Sequence, residues 1–273
     1  MIREFHAPTS LEQAIALKAR LGDAAVFLAG GTEVNLPSPF TPEYVISLER
    51  LPLADIRATE TELTIGARCT IQQVIDSDDI PEPIKAAGRH LFNRNIRNVA
   101  TVGGQLGSNR SYGSLLPILV ALEAVVDLAG PNAMPPISAL QYIAEKRKEL
   151  ITQVRIPRSA LARRVAVDRY ARTANDLALV TAAVALDREG EAIMRPIIAV
   201  GGIAPRVTRL EAVEQELHGQ RLPAREALER LVAGHVTPTA DLRGSAEYKR
   251  HVAGVLVAKT IVRAYRQGGG ETP

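Results

Sequence analysis

The sequence predicts an α+β protein, because short apolar runs of strand length and amphipathic runs of helical length are mixed along it. A capped helix leads into a buried strand within the first 30 residues. Beyond residue 164, apolar runs that read as strands, or as a mixture of strands and helices, precede three predicted helices. Two segments with adjacent glycines interrupt the pattern, and each adjoins an apolar run.

Length and composition allow a globular protein with up to two domains. The chain has 273 residues, of which 46% are hydrophobic, which excludes disorder. The most apolar run, 115–129, is broken by Pro117, Glu123 and Asp127, so no stretch reaches the roughly 18 residues of a membrane span. The first residues lack the features of a signal peptide, and we expect a cytoplasmic location.

Charge and cysteine content argue against several classes of site. Cys69 is the single cysteine, so the chain can form no internal disulfide and cannot by itself ligate an iron–sulfur cluster. The five histidines show no metal-ligand spacing. The formal net charge is only +3, tryptophan is absent and aromatic residues make up 4%, which argues against nucleic-acid binding.

The N-terminal half reads as alternating helices and strands. A capping box at Ser10 and Gln13 begins a helix that Gly22 ends. The apolar run 25–29 predicts a buried strand that leads directly into Gly30 and Gly31. Further strands are predicted at 44–48, 63–66, 124–128 and 150–156, helices at 70–76, 82–91 and 114–122, a connection between 48 and 63, and a polar turn at 93–98.

Pro157 and the basic stretch that follows it predict a domain boundary. Beyond it, the segments 165–172, 177–186 and 193–200 read as a meander of strands or as a mixture of strands and helices. The run 177–185 fits either, because short apolar runs are ambiguous. Helices are predicted at 208–218, 224–233 and 245–267. The tail 269–273 is expected to be disordered.

The two glycine segments carry the chemistry. They span 29–35 (AGGTEVN) and 101–108 (TVGGQLGS). Glycine lets backbone approach a ligand closely, and successive N–H groups can form a concave site for phosphate oxygens. Neither segment is a dinucleotide fingerprint or a P-loop, and either alone is typical of a tight turn. Together they predict two loops that hold both sides of a diphosphate.

The sequence also resembles a known family over nearly its whole length. AGGTEV, IRNVATVGGQLG and SLLPILVAL resemble the flavin-pyrophosphate segments of the FAD-binding medium subunit of molybdenum hydroxylases, the family of xanthine dehydrogenase and carbon monoxide dehydrogenase. RTANDLALVTAAVAL, GGIAPR and LRGSAEYKR resemble its C-terminal domain. The resemblance implies an FAD-binding domain at 1–162, with lobes at 1–55 and 56–162, then a small antiparallel sheet with packed helices at 163–268.

The resemblance implies an electron-transfer subunit with no catalytic acid, base or nucleophile of its own, because FAD carries the redox chemistry. A molybdopterin-binding large subunit would oxidise the substrate, and a 2Fe-2S small subunit would carry electrons to this chain, which would pass them to NAD or another acceptor. Two other interpretations stay open. One is a scaffold with weak or lost FAD binding, and the other is a free-standing flavoprotein oxidase or reductase.

Cofactor-binding residues follow from the same resemblance. The implied set is Phe27, Leu28, Ala29, Gly30, Gly31, Thr32, Glu33, Val34, Asn35, Leu91, Thr101, Val102, Gly103, Gly104, Gln105, Ser114, Ile151 and Asp168. The glycines would bring N–H groups to the pyrophosphate, and the two threonines would add hydroxyl donors. Leu91 or Phe92 would line the pocket, and Arg172 and Asp176 lie in the segment that faces the flavin in relatives.

Three positions depart from the family pattern. Relatives usually have Asn where this chain has Gln105, and Asp where it has Ser114. Some carry a cofactor-contacting Lys at the position of Asp168. The first change lengthens an amide side chain, and the second replaces a carboxylate with a hydroxyl. These substitutions bear on FAD affinity rather than on the fold.

Overall fold

The structure is a computed structural model, which describes residues 2–34, 42–145 and 147–267. The described residues form three β-sheets. The strands of the first sheet lie within residues 4–47, those of the second within 56–157 and those of the third within 164–209, and helices pack on each sheet. The predicted α+β class is therefore confirmed. Asn35 and the predicted tail at 269–273 lie outside the described residues.

The first sheet is small and parallel, with strand order β1-β3-β2. Its elements are β1 (Glu4–His6), α1 (Leu11–Leu21), β2 (Ala25–Leu28) and β3 (Tyr44–Ser47). The Ser10 hydroxyl accepts from the Gln13 backbone N–H at 3.3 Å, and Gly22, with φ of 58°, ends the helix. The predicted capped helix and the strand that follows it are confirmed. Two details differ: the Gln13 side chain accepts from the Thr9 N–H rather than from Ser10, and Ala25 is the one buried residue of β2.

The second sheet has five strands in the order β4-β5-β8-β6-β7, all neighbours being antiparallel. Its strands are β4 (Ile56–Ala58), β5 (Glu62–Gly66), β6 (Val125–Ala129), β7 (Ile137–Ser138) and β8 (Leu150–Pro157). Its helices are α2 (Ile71–Asp76), α3 (Glu82–Arg89), α4 (Arg94–Arg97), α5 (Val102–Ser108), α6 (Leu116–Ala121), α7 (Ala139–Glu145) and α8 (Arg158–Leu161).

Several of these elements do not follow from the sequence pattern. The pattern does not predict β4, β7 or α7, and β4 and β7 are too short to show a periodicity. The turn predicted at 93–98 contains the one-turn helix α4, which the Asn93 side chain caps. The loop predicted at the second glycine segment is wrong, because α5 occupies it. Pro117 lies in the first turn of α6, where proline is tolerated.

The third sheet is antiparallel in the order β12-β11-β10-β9, and helices follow it. Its elements are β9 (Arg164–Tyr170), β10 (Val180–Glu189), β11 (Ala192–Gly201), β12 (Thr208–Arg209), α9 (Glu211–Leu217), α10 (Arg225–His235) and α11 (Ala246–Arg266). The ambiguous run 177–185 is a strand from Val180 onward.

Both faces of the third sheet are buried, which explains why its strands read as continuous apolar runs. On one face Val165, Val167 and Ala185 join the core of the second lobe. On the other face Ala166 and Val184 pack in a cluster with residues of α10 and α11. The third sheet therefore connects the helices of the C-terminal domain to the N-terminal domain.

Candidate binding cleft

A cleft of about 710 Å³ lies between the first and second lobes, with both glycine segments in its lining. Eleven predicted residues line it: Phe27, Ala29, Gly30, Gly31, Thr32, Glu33, Val34, Thr101, Gly103, Gly104 and Ile151. The other described residues of the predicted set, Leu28, Leu91, Val102, Gln105, Ser114 and Asp168, are not among the lining residues. The folded chain thus brings together two segments about 70 residues apart.

The first glycine segment turns sharply at the end of β2. A Cβ atom on Gly30 would lie 1.7 Å from the carbonyl oxygen of Val99, so only glycine permits this approach of the two lobes. Gly31 has a φ of 72°, which side chains rarely adopt. Each glycine is therefore required by the backbone, and the turn directs Thr32 and Glu33 into the cleft lining.

The second glycine segment is the first turn of α5 rather than a loop. Thr101 caps this helix, and its hydroxyl accepts from the Gly104 N–H at 3.0 Å. The Val102 N–H donates to the Cys69 carbonyl at 3.0 Å, and the Gly103 N–H donates to the Ala67 carbonyl at 2.8 Å. The N–H groups of Gly103 and Gly104, which the sequence predicts to approach a diphosphate, therefore already have partners within the chain.

Small residues on α5 form one wall of the cleft. Thr101, Gly104 and Ser108 are spaced to lie on one helical face, with Gly107 beside them, and all four line the cleft. A Cβ on Gly103 would lie 2.8 Å from the Ala67 Cβ, whereas a Cβ on Gly107 would meet no described atom within 4 Å. Gly103 therefore serves packing against the β5–α2 turn, and Gly107 leaves open space.

Two ion pairs join the lobes across the cleft, and sequence reasoning missed both. Arg110 Nε lies 3.0 Å from Glu33 Oε2, and Lys148 Nζ lies 2.8 Å from Asp23 Oδ1. All four residues line the cleft. The Glu33 hydrogen bond raises the pKa of the Arg110 guanidinium. The pairs are 77 and 125 residues apart in sequence, so no local pattern indicates them.

Further lining residues lie in α7 and in the segment that leads into β8 and includes its first residue. They are Tyr142, Arg147, Glu149 and Leu150, and Lys18 of α1 lies in the same lining. Lys18 Nζ donates to the carbonyls of Gly22 and Ala25 at 2.8 and 2.7 Å, and burial lowers its pKa. Burial raises the pKa of Tyr142 to about 12. From sequence alone, the basic stretch around Arg147 reads as a mostly solvated face.

Half-buried Gln105, on α5, and buried Ser114 each have a polar atom that is buried without a partner. Gln105 Oε1 and Ser114 Oγ have no hydrogen-bond partner among the described residues, and Ser114 is 7% exposed. A Cβ on Gly113 would lie 3.5 Å from Gln105 Oε1, which places the amide next to the residue that precedes Ser114. Buried polar atoms are rarely left unpaired, so two such atoms together indicate room for a further hydrogen-bonding group.

Asp168 lies away from the cleft. Its neighbour Val167 packs towards the second lobe, so the alternation of β9 turns Asp168 to the opposite face. There its carboxylate accepts from Lys259 Nζ at 3.1 Å, Thr260 Oγ1 at 3.2 Å and Arg263 NH1 at 2.6 Å. Asp168 therefore anchors α11. Leu91, Phe92 and Val102 belong to the hydrophobic core or pack against it.

A second, smaller pocket of about 280 Å³ contains Arg172 and Asp176. Tyr170, Leu177, Leu179, Arg243 and Tyr248 complete its lining. The hydroxyls of Tyr170 and Tyr248 lie 2.9 Å apart, and Arg172 pairs with Asp176 at 3.4 Å. This pocket belongs to the C-terminal domain.

No group of three or more His, Cys, Asp or Glu side chains among the described residues could hold a metal ion. Across 2–34, 42–145 and 147–267, none of the helices combines the length and apolar character needed to cross a membrane.

Two family profiles match almost the whole chain. Residues 1–159 match the FAD binding domain in molybdopterin dehydrogenase, and residues 166–264 match the CO dehydrogenase flavoprotein C-terminal domain. Among curated proteins, the uncharacterized protein YgfM of Escherichia coli is 37% identical, with 98% of each chain covered. The carbon monoxide dehydrogenase medium chain of Afipia carboxidovorans is 30% identical, with 96% of each chain covered.

Solved structures agree with these sequence matches. A chain of carbon monoxide dehydrogenase from Hydrogenophaga pseudoflava superposes with a TM-score of 0.88 at 28% identity. The match covers 97% of this chain and 98% of that one. The likeness therefore extends over both domains and includes both lobes of the cleft.

Proposed function

We propose that this chain, which belongs to the family of FAD-binding medium subunits of molybdenum hydroxylases, is an electron-transfer subunit of an oxidoreductase complex. Electrons would arrive from iron–sulfur clusters on a 2Fe-2S small subunit, after a molybdopterin-binding large subunit has oxidised the substrate. They would leave to NAD or another acceptor, in the cytoplasm. FAD, when bound, supplies an isoalloxazine ring that accepts and donates electrons.

One observation carries the proposal: the cleft brings the first glycine segment and the small-residue face of α5 to opposite walls of one space. Its volume of about 710 Å³ lies within the range of small-molecule sites, roughly 300–1,000 Å³. Four basic residues of the lining, Lys18, Arg110, Arg147 and Lys148, face three acidic ones, Asp23, Glu33 and Glu149, so the lining has a small excess of positive charge.

The residues present fit an extended ligand that is rich in hydrogen-bonding groups. The open space at Gly107 admits ligand atoms against α5. The unpartnered Gln105 Oε1 and Ser114 Oγ lie outside the cleft lining, so a ligand that bonds to them would have to extend past the α5 wall of the cleft. Ile151 would provide an apolar contact from β8. These groups would bind and orient the cofactor.

A second candidate function, a scaffold with weak FAD binding, is favoured by a different observation. The N–H groups of Gly103 and Gly104 donate within the chain, and Ser114 brings no charge where relatives usually have Asp. A helix end whose N–H groups are satisfied attracts a phosphate less strongly than one with free N–H groups. FAD affinity distinguishes this function from electron transfer.

The test has two steps on the full chain. The purified chain is titrated with FAD and followed by absorbance after desalting, and tight binding supports the first candidate. The tagged chain is then purified from its native cells, and molybdenum and iron are measured in the eluate. FAD without either metal would instead favour a free-standing flavoprotein. No FAD binding, even with the partner subunits present, would favour the scaffold.

The acceptor is tested on the same purified complex. The complex is reduced anaerobically and mixed with NAD in a stopped-flow instrument, while the flavin absorbance is followed. Recovery of the oxidised flavin band together with NADH formation supports NAD as acceptor. Recovery with a quinone or oxygen, but not with NAD, would assign another acceptor class.

A further inference from the structure

Lys249 is a charged side chain with no solvent exposure. It lies in the first turns of α11, and its relative exposure is 0%. Its amino group donates to Asp241 Oδ2 at 2.8 Å and to the Thr239 carbonyl at 3.0 Å. A buried charge is tolerated only where it is paired and hydrogen-bonded. Lys249 therefore fixes the segment between α10 and α11 against the helix.

Asp241 in turn holds Arg243. Its carboxylate accepts from the Arg243 backbone N–H at 2.9 Å and from Arg243 Nε at 3.0 Å. Burial raises the pKa of Asp241, but the hydrogen bonds from Arg243 and Lys249 outweigh burial and hold that pKa below its usual range. The guanidinium of Arg243 is thus held in one orientation by a carboxylate that Lys249 itself holds.

Arg243 links three segments of the chain. Its NH1 group donates to the Ala178 carbonyl at 2.8 Å, in the segment between β9 and β10. Its Cζ atom lies 5.3 Å from the ring centroid of Tyr112, between α5 and α6 of the N-terminal domain. That distance is typical of a cation–π contact. The contacts of Arg243 therefore cross from the C-terminal domain to the N-terminal domain.

The segment that contains Tyr112 also reaches the cleft. Arg110 is two residues before Tyr112, and its ion pair with Glu33 joins α5 to the first glycine segment. The Gly113 N–H donates to the Arg110 carbonyl at 2.9 Å, so Arg110 and Tyr112 belong to one tight turn. A continuous set of contacts thus leads from Lys249 to Glu33.

We propose that Lys249 is a positioning residue for the binding cleft, which acts through Asp241 and Arg243 on the Arg110–Tyr112 segment. The C-terminal domain would thereby set the distance between the first glycine segment and α5. The role in cofactor affinity rests on the proposed function, whereas the role in ordering the cleft wall does not.

The first test measures amide hydrogen exchange in the full chain without added FAD. Lys249→Met removes the charge, and Lys259→Met is the matched control on the same helix, at a half-exposed site that pairs with Asp168. We expect exchange in 109–115 and 171–179 to rise about tenfold in Lys249→Met, with β10 and β11 unchanged. Lys259→Met should leave both segments unchanged.

Arg243→Gln keeps the test decisive if Lys249→Met does not fold, because the Arg243 side chain is 20% exposed whereas Lys249 is fully buried. The same two segments should exchange faster in this variant. Unchanged exchange in 109–115, or an increase throughout the C-terminal domain, would overturn the proposal. The second outcome would mean that Lys249 only stabilises its own domain.

The second test is a double-mutant cycle on FAD affinity. Lys249→Met should weaken FAD binding about tenfold when Glu33 is present, and less than about twofold in a Glu33→Gln background. Equal effects in both backgrounds would show that Lys249 does not act through Glu33. If the wild-type chain binds no FAD, the proposed function fails, and the exchange measurement still decides the positioning role.

Discussion

Arg110 and Glu33 form an ion pair that spans the binding cleft, with Arg110 Nε 3.0 Å from Glu33 Oε2. Glu33 belongs to the first glycine segment, and Arg110 follows α5 directly. The pair therefore ties together the two walls that a ligand would contact. Lys148 and Asp23 form a second pair between the same lobes, at a more exposed position.

Glu33→Gln should weaken this connection between the lobes. The two side chains are 29% and 46% exposed, so solvent screens the pair, and we expect a loss of less than about 1 kcal/mol in unfolding free energy at low salt. The loss should disappear near 1 M salt, where the Debye length is only about 3 Å. Chemical denaturation at both salt concentrations measures it.

Asp23→Asn is the control for Glu33→Gln, because its pair with Lys148 is largely exposed. It should have a smaller effect at either salt concentration. A loss for Glu33→Gln that persists at high salt would mean that packing, and not charge, explains the contribution of Glu33.

Gly107→Leu tests whether the α5 face contacts FAD. A Cβ at this position meets no described atom within 4 Å, and Gly107 lines the cleft, so the new side chain should occupy ligand space without disturbing the fold. We expect FAD affinity to fall more than about tenfold, while helix propensity raises stability slightly. Absorbance titration gives the affinity, and thermal unfolding gives the stability.

Gly234→Leu is matched to Gly107→Leu. Gly234 also lies in a helix, and a Cβ added there would meet no described atom within 4 Å, but it is not among the residues that line the cleft. It should gain similar stability and keep its FAD affinity. Equal losses of affinity in the two variants would exclude α5 as a cofactor contact.

The glycine segments could be predicted from sequence because their chemistry is local. Gly30 and Gly31 follow a buried strand, and the structure requires both glycines there. The helix at the second segment could also have been found, since Thr101 is a favourable N-cap. Gly103 and Gly104 argued against a helix at this segment, because glycine has low helix propensity.

Other features of the cleft could not be predicted from local sequence. Both ion pairs between the lobes depend on tertiary contacts over long separations. Asp168 shows a different difficulty. Its position in β9 follows from the sequence, but side chains alternate between the two faces of a strand, and the alignment of one residue decides which face it occupies.

Ser114→Ala should affect stability and binding in opposite ways. The buried hydroxyl has no partner among the described residues, so its removal should leave unfolding free energy unchanged or raise it by up to about 1 kcal/mol. If the hydroxyl bonds to FAD, affinity should fall about 2- to 10-fold. Denaturation and FAD titration of one preparation compare the two effects.

Thr181→Val provides the control for Ser114→Ala. Thr181 Oγ1 is also buried without a partner among the described residues, but Thr181 lies on β10 and does not line the cleft. The unfolding free energy of Thr181→Val should stay unchanged or rise, as in Ser114→Ala, and the FAD affinity of the variant should stay unchanged. A fall in stability for Ser114→Ala would mean that the hydroxyl already has a partner, such as an ordered water.

His90 makes the stability of the chain depend on pH. Burial, and then the charge of Arg169, lower the pKa of His90 to about 4. The unfolded chain binds the proton near pH 6.5, so the stabilising contribution is complete above that pH and is lost as pH falls towards 4. The loss should be at most about 3 kcal/mol.

His90→Gln should therefore lose less stability than the wild type between pH 7 and pH 5, as measured by urea denaturation. His251→Gln, an exposed substitution on α11, should follow the wild type. If His90→Gln and the wild type lose stability in parallel, His90 is not the group that binds the proton.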